Sequence, residues 1–253
     1  MFFSLRKILF TSRMILIILL LAVCSIPASS QNNTDNGNYY MRGISLGMHS
    51  KHYNYDYTPL IEEISDTGAD WIGLTIKFRQ DKVNSDSIII PSPSSAFWDQ
   101  LIHTIRSCRA SDLNVFLSPI IKINHPEGDD WRGSINPDNK EKWCAQYTDL
   151  IKTLAILSEK ENVSMLSIGS ELTSMQGHEH LWRNLITDIK NIYTGILTYS
   201  SNWDALNDRS FFNELDMLGI SAYFKLSDYT NPSQRTLNKS WMKIRKQINE
   251  QMK

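Results

Sequence analysis

The feature that most constrains the fold is a pattern of strand, loop and helix that repeats along the chain after Tyr40. In most of the predicted strands, branched apolar residues occupy every second position, and Gly, Ser or Thr fill the positions between them. Alternation of this kind places large side chains on one face of a strand and small ones on the other. Strands that alternate with helices in the chain specify a parallel sheet with helical crossovers. The predicted strands cover 42–48, 71–77, 113–121, 163–171, 196–202 and 217–224.

The small faces of these strands favour a closed sheet over an open one. A doubly wound sheet is covered by helices on both faces, so its strands tend to be apolar on both. Small inner faces are expected where strands curl and crowd together, as they do in a barrel. The sequence therefore predicts an α/β protein of the (β/α)8 TIM-barrel type, of which this 253-residue chain supplies about six βα units.

Polar residues end several of the small-residue faces. Continued to the strand ends, these faces give the set Gly47, Lys77, Glu171, Asn202 and Tyr223. In a barrel the carboxyl ends of the strands converge at one mouth, where the catalytic residues of this fold lie. Glu171, which ends the otherwise neutral segment from Val163, is the candidate catalytic acid. A carboxylate that only caps or salt-bridges a strand end is the alternative.

The first thirty residues differ from the rest. Basic residues precede an apolar run at 14–23, and small residues at 27–30 offer a cleavage site. We expect a signal peptide over 1–30, a polar linker over 31–39 and one barrel domain over 40–253. The protein is then secreted, periplasmic or on the cell surface. An uncleaved N-terminal anchor or a lipid on Cys24 is the alternative and the only membrane association predicted.

Composition and motifs argue against several classes of function. The net charge of −1 gives no basic surface for nucleic acid. Export would permit a disulfide between Cys108 and Cys144, but their spacing does not indicate one. His178 and His180 would point to different sides of a helix start, and no acidic ligand spacing accompanies them, so a metal site is a minor alternative. No phosphate loop or nucleophile elbow is present in the sequence, and no cofactor is expected.

Four segments resemble a known family. They are DDWRGSI (129–135), IGSEL (168–172), LWRNLITDIKNIYTGILTYSSNWD (181–204) and LDMLGISAYFKL (215–226). Together they resemble the family 113 glycoside hydrolases, a retaining (β/α)8 group whose known activity is endo-β-1,4-mannanase. The likeness covers about residues 40–226 in order. It implies an enzyme that hydrolyses β-linked polysaccharide, with a polysaccharide or oligosaccharide as its partner; export follows from the N-terminal pattern alone.

The resemblance also implies roles for individual residues. The Glu of the family's Gly-Thr-Glu-Leu motif is the acid/base and matches Glu171, with Ser170 in place of Thr. An indole offers a flat face to a sugar ring, and amide and phenol groups bond sugar hydroxyls. A core position behind the fifth strand is the alternative for Trp203. With Lys77 from the strand ends, the candidate substrate-binding residues are Trp131, Arg132, Asn202, Trp203, Tyr223 and Lys77.

The second carboxyl group is the part of the chemistry that the sequence does not supply. Retaining glycosidases use two carboxyls about 5 Å apart, and the family's nucleophile is a Glu at the end of the seventh strand. Only six strands are predicted, and Glu250 lies in a polar helical tail. We therefore expect a C-terminally truncated copy. The alternatives to a retaining β-mannanase or related β-glycanase are a carbohydrate-binding relic without turnover and a metal-dependent barrel hydrolase.

Overall fold

The computed structural model describes residues 34–35, 38–50, 52–206 and 211–251. Residues up to Met41 and residues from Arg42 onward form two separate units. In the first unit, Thr34–Asp35 and Asn38–Tyr39 pair as two short antiparallel strands. The predicted signal peptide, including Cys24, lies outside the described residues. None of the described helices is long and apolar enough to span a bilayer.

The second unit contains a parallel sheet whose strands follow one another in space in the order of the chain. Each strand pairs in parallel with the next. The strands are β1 (Gly43–Gly47), β2 (Trp71–Gln80), β3 (Asn114–Ile123), β4 (Met165–Ser170), β5 (Ile196–Asn202) and β6 (Met217–Ser221). The strand Ile88–Ile89 pairs antiparallel with the end of β2.

Helices follow five of these six strands within the described residues. They are α1 (Thr58–Asp66), α2 (Ala96–Ala110), α3 (Lys140–Lys160), α4 (Glu179–Lys190) and α5 (Gln234–Gln251). A strand order that equals the chain order, with helical crossovers, is the architecture of a partial (β/α)8 barrel, and the predicted fold class is confirmed. The link from β5 to β6 departs from the predicted repeat. Its described part carries only the short 3₁₀ turn Phe212–Glu214.

The core lies between the outer face of the sheet and the helices. In β2, alternate residues from Ile72 to Phe78 are fully buried. The predicted apolar stripe of α3, which includes Trp143 and Tyr147, is buried as well. The stripe of α5 is the exception, because Trp241 is 46% exposed and Ile244 alone is buried among the side chains described in that helix.

Two strands are longer than their patterns indicate. The predictions end the second strand at Lys77 and the third at Ile121, whereas β2 reaches Gln80 and β3 reaches Ile123. In the sequence, the charged residues Arg79 and Lys122 resemble the start of a loop. Their neighbours Phe78 and Ile123 are nevertheless buried and continue the alternation. The sixth strand is shorter than predicted and ends at Ser221 instead of 224.

Gln80 is a fully buried polar residue at the end of β2. Its Oε1 accepts a hydrogen bond of 2.7 Å from the indole Nε1 of Trp143, which joins β2 to α3. Its Nε2 donates to the backbone carbonyls of Lys82 and Val83, at 2.8 and 3.2 Å. These bonds fix the loop that follows β2. Buried polar groups of this kind are costly to leave without partners.

We expect Gln80→Ala to lower the free energy of unfolding by about 2–4 kcal/mol, because it leaves a cavity and strips partners from buried polar groups. The exposed Gln234→Ala is the control and should change that free energy by less than about 0.5 kcal/mol. Urea unfolding followed by circular dichroism measures both. A loss for Gln80→Ala no larger than that of the control would contradict the proposed role of this residue.

Candidate active site

Glu171 follows directly after β4, and its side chain is buried, with 5% of the residue exposed. Its backbone is in the left-handed region, with φ of 55°. For a residue other than glycine this conformation costs on the order of 1 kcal/mol or more and persists only where the surroundings impose it. Such positions cluster at functional sites, although the strain alone does not identify one.

A β-bulge precedes Glu171 and sets its direction. The pairing of β4 with β5 shifts between Ser167, opposite Thr198, and Ser170, opposite Ser200. The Ser167 hydroxyl donates to the carbonyl of Gly169 at 2.6 Å. Beyond the bulge, the backbone N–H of Glu171 donates to the carbonyl of Ser200 at 2.7 Å. Bulges of this kind re-aim side chains beside active sites. The regular alternation of the sequence did not predict it.

Two buried tyrosines, Tyr147 of α3 and Tyr199 of β5, hold this segment. The Tyr147 hydroxyl donates to the carbonyl of Ile168 at 2.7 Å, and the N–H of Leu172 donates to the Tyr199 hydroxyl at 3.0 Å. Burial raises the pKa of Tyr147 well above its usual range, so this phenol stays neutral. The Tyr199 ring also explains Gly169, because a Cβ there would lie 2.8 Å from the ring.

Arg132 is the ion-pair partner of Glu171. Its Nη2 donates to Glu171 Oε2, and its guanidinium lies 5.6 Å from the ring centroid of Trp131. Arg132 begins a 3₁₀ turn that the Ser134 hydroxyl closes by donating to the carbonyl of Trp131 at 2.9 Å. The structure therefore brings three of the predicted site residues together. No periodicity in the sequence places this loop against β4.

Lys77 lies in the same region. It lines a cleft of about 280 Å³ together with Trp131, Arg132, Lys122 and Asp130. Burial lowers the pKa of Lys77, and the charge of Lys122 lowers it further. Sequence reasoning missed Lys122 and Asp130. The signal for Lys122 was its position between two apolar residues, which extends the alternation of β3 past the predicted end.

His49 is another residue near this cleft that the sequence did not single out. Burial lowers its pKa, as do the charges of Lys77 and Lys122. Its imidazole also lies close to Gly47, where a Cβ would meet Nε2 at 2.5 Å. The neighbourhood of Lys77 is thus positively charged.

The remaining predicted site residues lie elsewhere on the strand ends. The Asn202 Nδ2 donates to Asp204 at 2.7 Å. Trp203 is 40% exposed, which excludes the core position that was its alternative. Its ring packs edge-on against Phe224 at 5.6 Å. Tyr223 is 80% exposed.

Trp203 belongs to a cleft different from that of Lys77. This second cleft, of about 470 Å³, is also lined by Asp204 and by Glu250 of α5. Glu250 forms an ion pair of 3.7 Å with Lys246 on the same helix. The structure therefore places this late carboxylate beside the Asn-Trp-Asp segment, a position that its polar helical tail did not indicate.

Metal ligation and disulfide formation were the other possibilities. Within the described ranges, no group of three or more His, Cys, Asp or Glu side chains is arranged to hold a metal ion. Cys108 and Cys144 are both free thiols. Burial raises the pKa of the Cys108 thiol to about 12, so it is a packing residue and not a nucleophile.

Several solved structures share this fold. A family 113 β-mannanase from Alicyclobacillus acidocaldarius, solved in complex with ManMIm, is 21% identical, with a TM-score of 0.67 over 81% of this chain and 68% of that one. A β-1,4-mannanase of the same family is 22% identical, with a TM-score of 0.67 over 82% of this chain and 69% of that one. These likenesses support the fold. None of the curated proteins compared matches this chain in sequence.

The sequence profile that matches is that of Glycoside Hydrolase Family 113, over residues 46–252. The match takes in all six sheet strands except the start of β1, and all of the predicted site residues. With the barrel topology and the buried acid after β4, it establishes that the chain belongs to Glycoside Hydrolase Family 113.

Proposed function

We propose that this protein is an exported hydrolase of β-1,4-mannan that retains the configuration of the anomeric carbon, with Glu171 as general acid/base. The observation that carries the proposal is the buried carboxylate of Glu171, held in a strained backbone at the carboxyl end of β4. Its ion pair with Arg132 lies beside the indole of Trp131. The strand ends are where barrel enzymes carry their catalytic groups.

The chemistry requires Glu171 to act twice. In the first half-reaction it gives a proton to the leaving glycosidic oxygen, while a second carboxyl attacks the anomeric carbon; in the second it takes a proton from water. Arg132 binds one carboxylate oxygen and so restricts the orientation of the whole group. A fixed orientation favours proton transfer along one direction.

The proposed substrate contacts come from both clefts and from the neighbouring strand ends. Trp131 and Trp203 supply indole faces for the C–H side of pyranose rings, and the exposed Tyr223 supplies a third aromatic face. Lys77 and Asn202 offer hydrogen-bond donors to sugar hydroxyls, and Asn202 is oriented by its bond to Asp204. Two separate aromatic clefts suit a chain of several sugar units better than a monosaccharide.

The second candidate function is carbohydrate binding without turnover. The observation that favours it is the edge position of β6, which pairs with β5 alone among the described strands. A sheet that is open on this side leaves its clefts in contact with water, where electrostatic stabilisation of a transition state is weaker. Turnover by the purified chain distinguishes the two functions.

We expect Glu171→Gln to lower kcat on β-1,4-mannan by about 10²–10⁴-fold, because the leaving sugar then lacks its proton donor. On a dinitrophenyl β-mannoside, whose leaving group needs no proton, the loss in the glycosylation step should be much smaller. Reducing-sugar release and absorbance measure the two reactions. Glu63→Gln, an exposed substitution on α1, is the matched control and should leave both rates unchanged.

Each outcome of this experiment has a clear meaning. Equal losses on both substrates would contradict the acid/base role of Glu171. Wild-type protein that binds mannan and releases no product would favour the second candidate function. Proton NMR of the first product decides retention, because a retaining enzyme releases the β-anomer first. Turnover that is lost in Glu250→Gln would identify that residue as the second carboxyl.

Export is the remaining part of the proposal, and it rests on the basic and apolar pattern of residues 1–30. We expect the mature protein to begin near Gln31. Intact-mass spectrometry of the protein from its native host measures this directly. A product that retains the first thirty residues would indicate an uncleaved anchor, and a diacylglyceryl group on Cys24 would indicate a lipoprotein.

A further inference from the structure

Three cationic side chains share one face of the β2–β3 pair at its carboxyl end. Arg79 and Lys122 are directly opposite each other in the pairing register, and Lys77 lies two residues before Arg79. Positions in register or two apart point to the same face of a sheet. The residues of β2 that point the other way, Phe78 and Gln80, are fully buried. Lys77, Arg79 and Lys122 therefore form a cationic patch on the face opposite the helices.

This cationic patch has no ion-pair partner: across the described residues, none of its three members pairs with a carboxylate. Lys122 and Arg79 both lower the pKa of Lys77, which shows that the charges act on one another. Asp130 supplies one negative charge to the same cleft, and its carboxylate accepts a hydrogen bond of 3.2 Å from the backbone N–H of Glu127. Lys77, Lys122 and Arg132 outnumber it in the lining, which is therefore net positive.

The patch continues into the cleft beside the candidate acid. Lys77 and Lys122 line this cleft with Trp131 and Arg132, and Arg132 reaches Glu171. The cleft thus combines an aromatic face with a net positive charge.

We infer that this cleft takes a β-linked glycan that carries an anionic substituent, and that Arg79 and Lys122 recognise its charge. The inference rests on the proposed function for the sugar part of the ligand and adds the substrate class. Neutral side chains are sufficient to bond the hydroxyls of an uncharged sugar, and they would not repel one another as the three cations of the patch do. A carboxylate or sulfate oxygen forms stronger, charge-assisted hydrogen bonds with lysine and arginine. A uronate residue and a sulfate ester both supply this chemistry.

The test compares three probes by isothermal titration calorimetry with the full 253-residue chain. They are β-1,4-mannohexaose, the same oligosaccharide with one C6 carboxylate, and the same oligosaccharide with one sulfate ester. At low ionic strength we expect a charged probe to bind about tenfold more tightly than the neutral one. The difference should shrink towards twofold or less in about 1 M NaCl, because salt screens exposed charges. Whichever of the two charged probes binds more tightly identifies the source of the charge.

The double substitution of Arg79→Gln and Lys122→Gln supplies the matched variant. Both side chains are exposed, so the fold should be retained, which circular dichroism verifies. We expect the preference for the charged probe over mannohexaose to fall to within about twofold of parity. Lys243→Gln, an exposed lysine of α5, should alter neither affinity.

Charged probes that bind no more tightly than mannohexaose would overturn the inference, as would a preference that survives in the double variant. Absence of binding by all three probes would overturn it too. Binding of a charged probe without any binding of mannohexaose would support the inference and contradict neutral mannan as the substrate. The Glu171→Gln kinetics decide the hydrolase function independently of these affinities.

Discussion

The candidate site depends on hydrogen bonds from two buried tyrosines to the backbone around the bulge in β4. Tyr147 bonds the carbonyl of Ile168, and Tyr199 accepts the N–H of Leu172, so the strand is held on both sides of Glu171. Inside a protein such bonds are stronger than in water, and an unpaired partner is expensive. The two tyrosines thus fix the position of the backbone at the mouth of the barrel, because their rings are themselves held in the core.

An aromatic cluster in turn fixes the tyrosines. Trp143 stacks on Tyr147 with ring centroids 4.9 Å apart, and Trp182 meets Tyr199 edge-on at 5.3 Å. Trp143 belongs to α3 and Trp182 to α4, and both are fully buried. The same Trp143 binds Gln80 at the end of β2. One cluster therefore links the strand that precedes the candidate acid to β2, the strand that carries Lys77 and Arg79.

Alternation and helical spacing in the sequence predicted the features that depend on residues close together in the chain. The bounds of β5 were predicted without error, because its alternation runs unbroken from Ile196 to Asn202. The burial of the α3 stripe followed from its helical spacing.

The ion pair between Arg132 and Glu171 joins residues 39 positions apart, and no periodicity reports such a contact; only the family resemblance placed both residues in one site. The bulge was missed because small residues before Glu171 satisfy both a regular and a bulged strand. The pattern does not reveal Lys122, because a charged residue after an apolar run resembles the end of a strand.

The left-handed backbone of Glu171 has a consequence for engineering. Glycine adopts this conformation at almost no cost, and asparagine tolerates it better than glutamate does. Replacement of Glu171 by glycine would relieve this strain, but it would also leave the Arg132 guanidinium without its carboxylate, a loss that reaches about 3–5 kcal/mol for a buried pair. The ion pair therefore protects the candidate acid in a screen that scores only melting temperature, and stabilising substitutions should arise at other positions of the barrel.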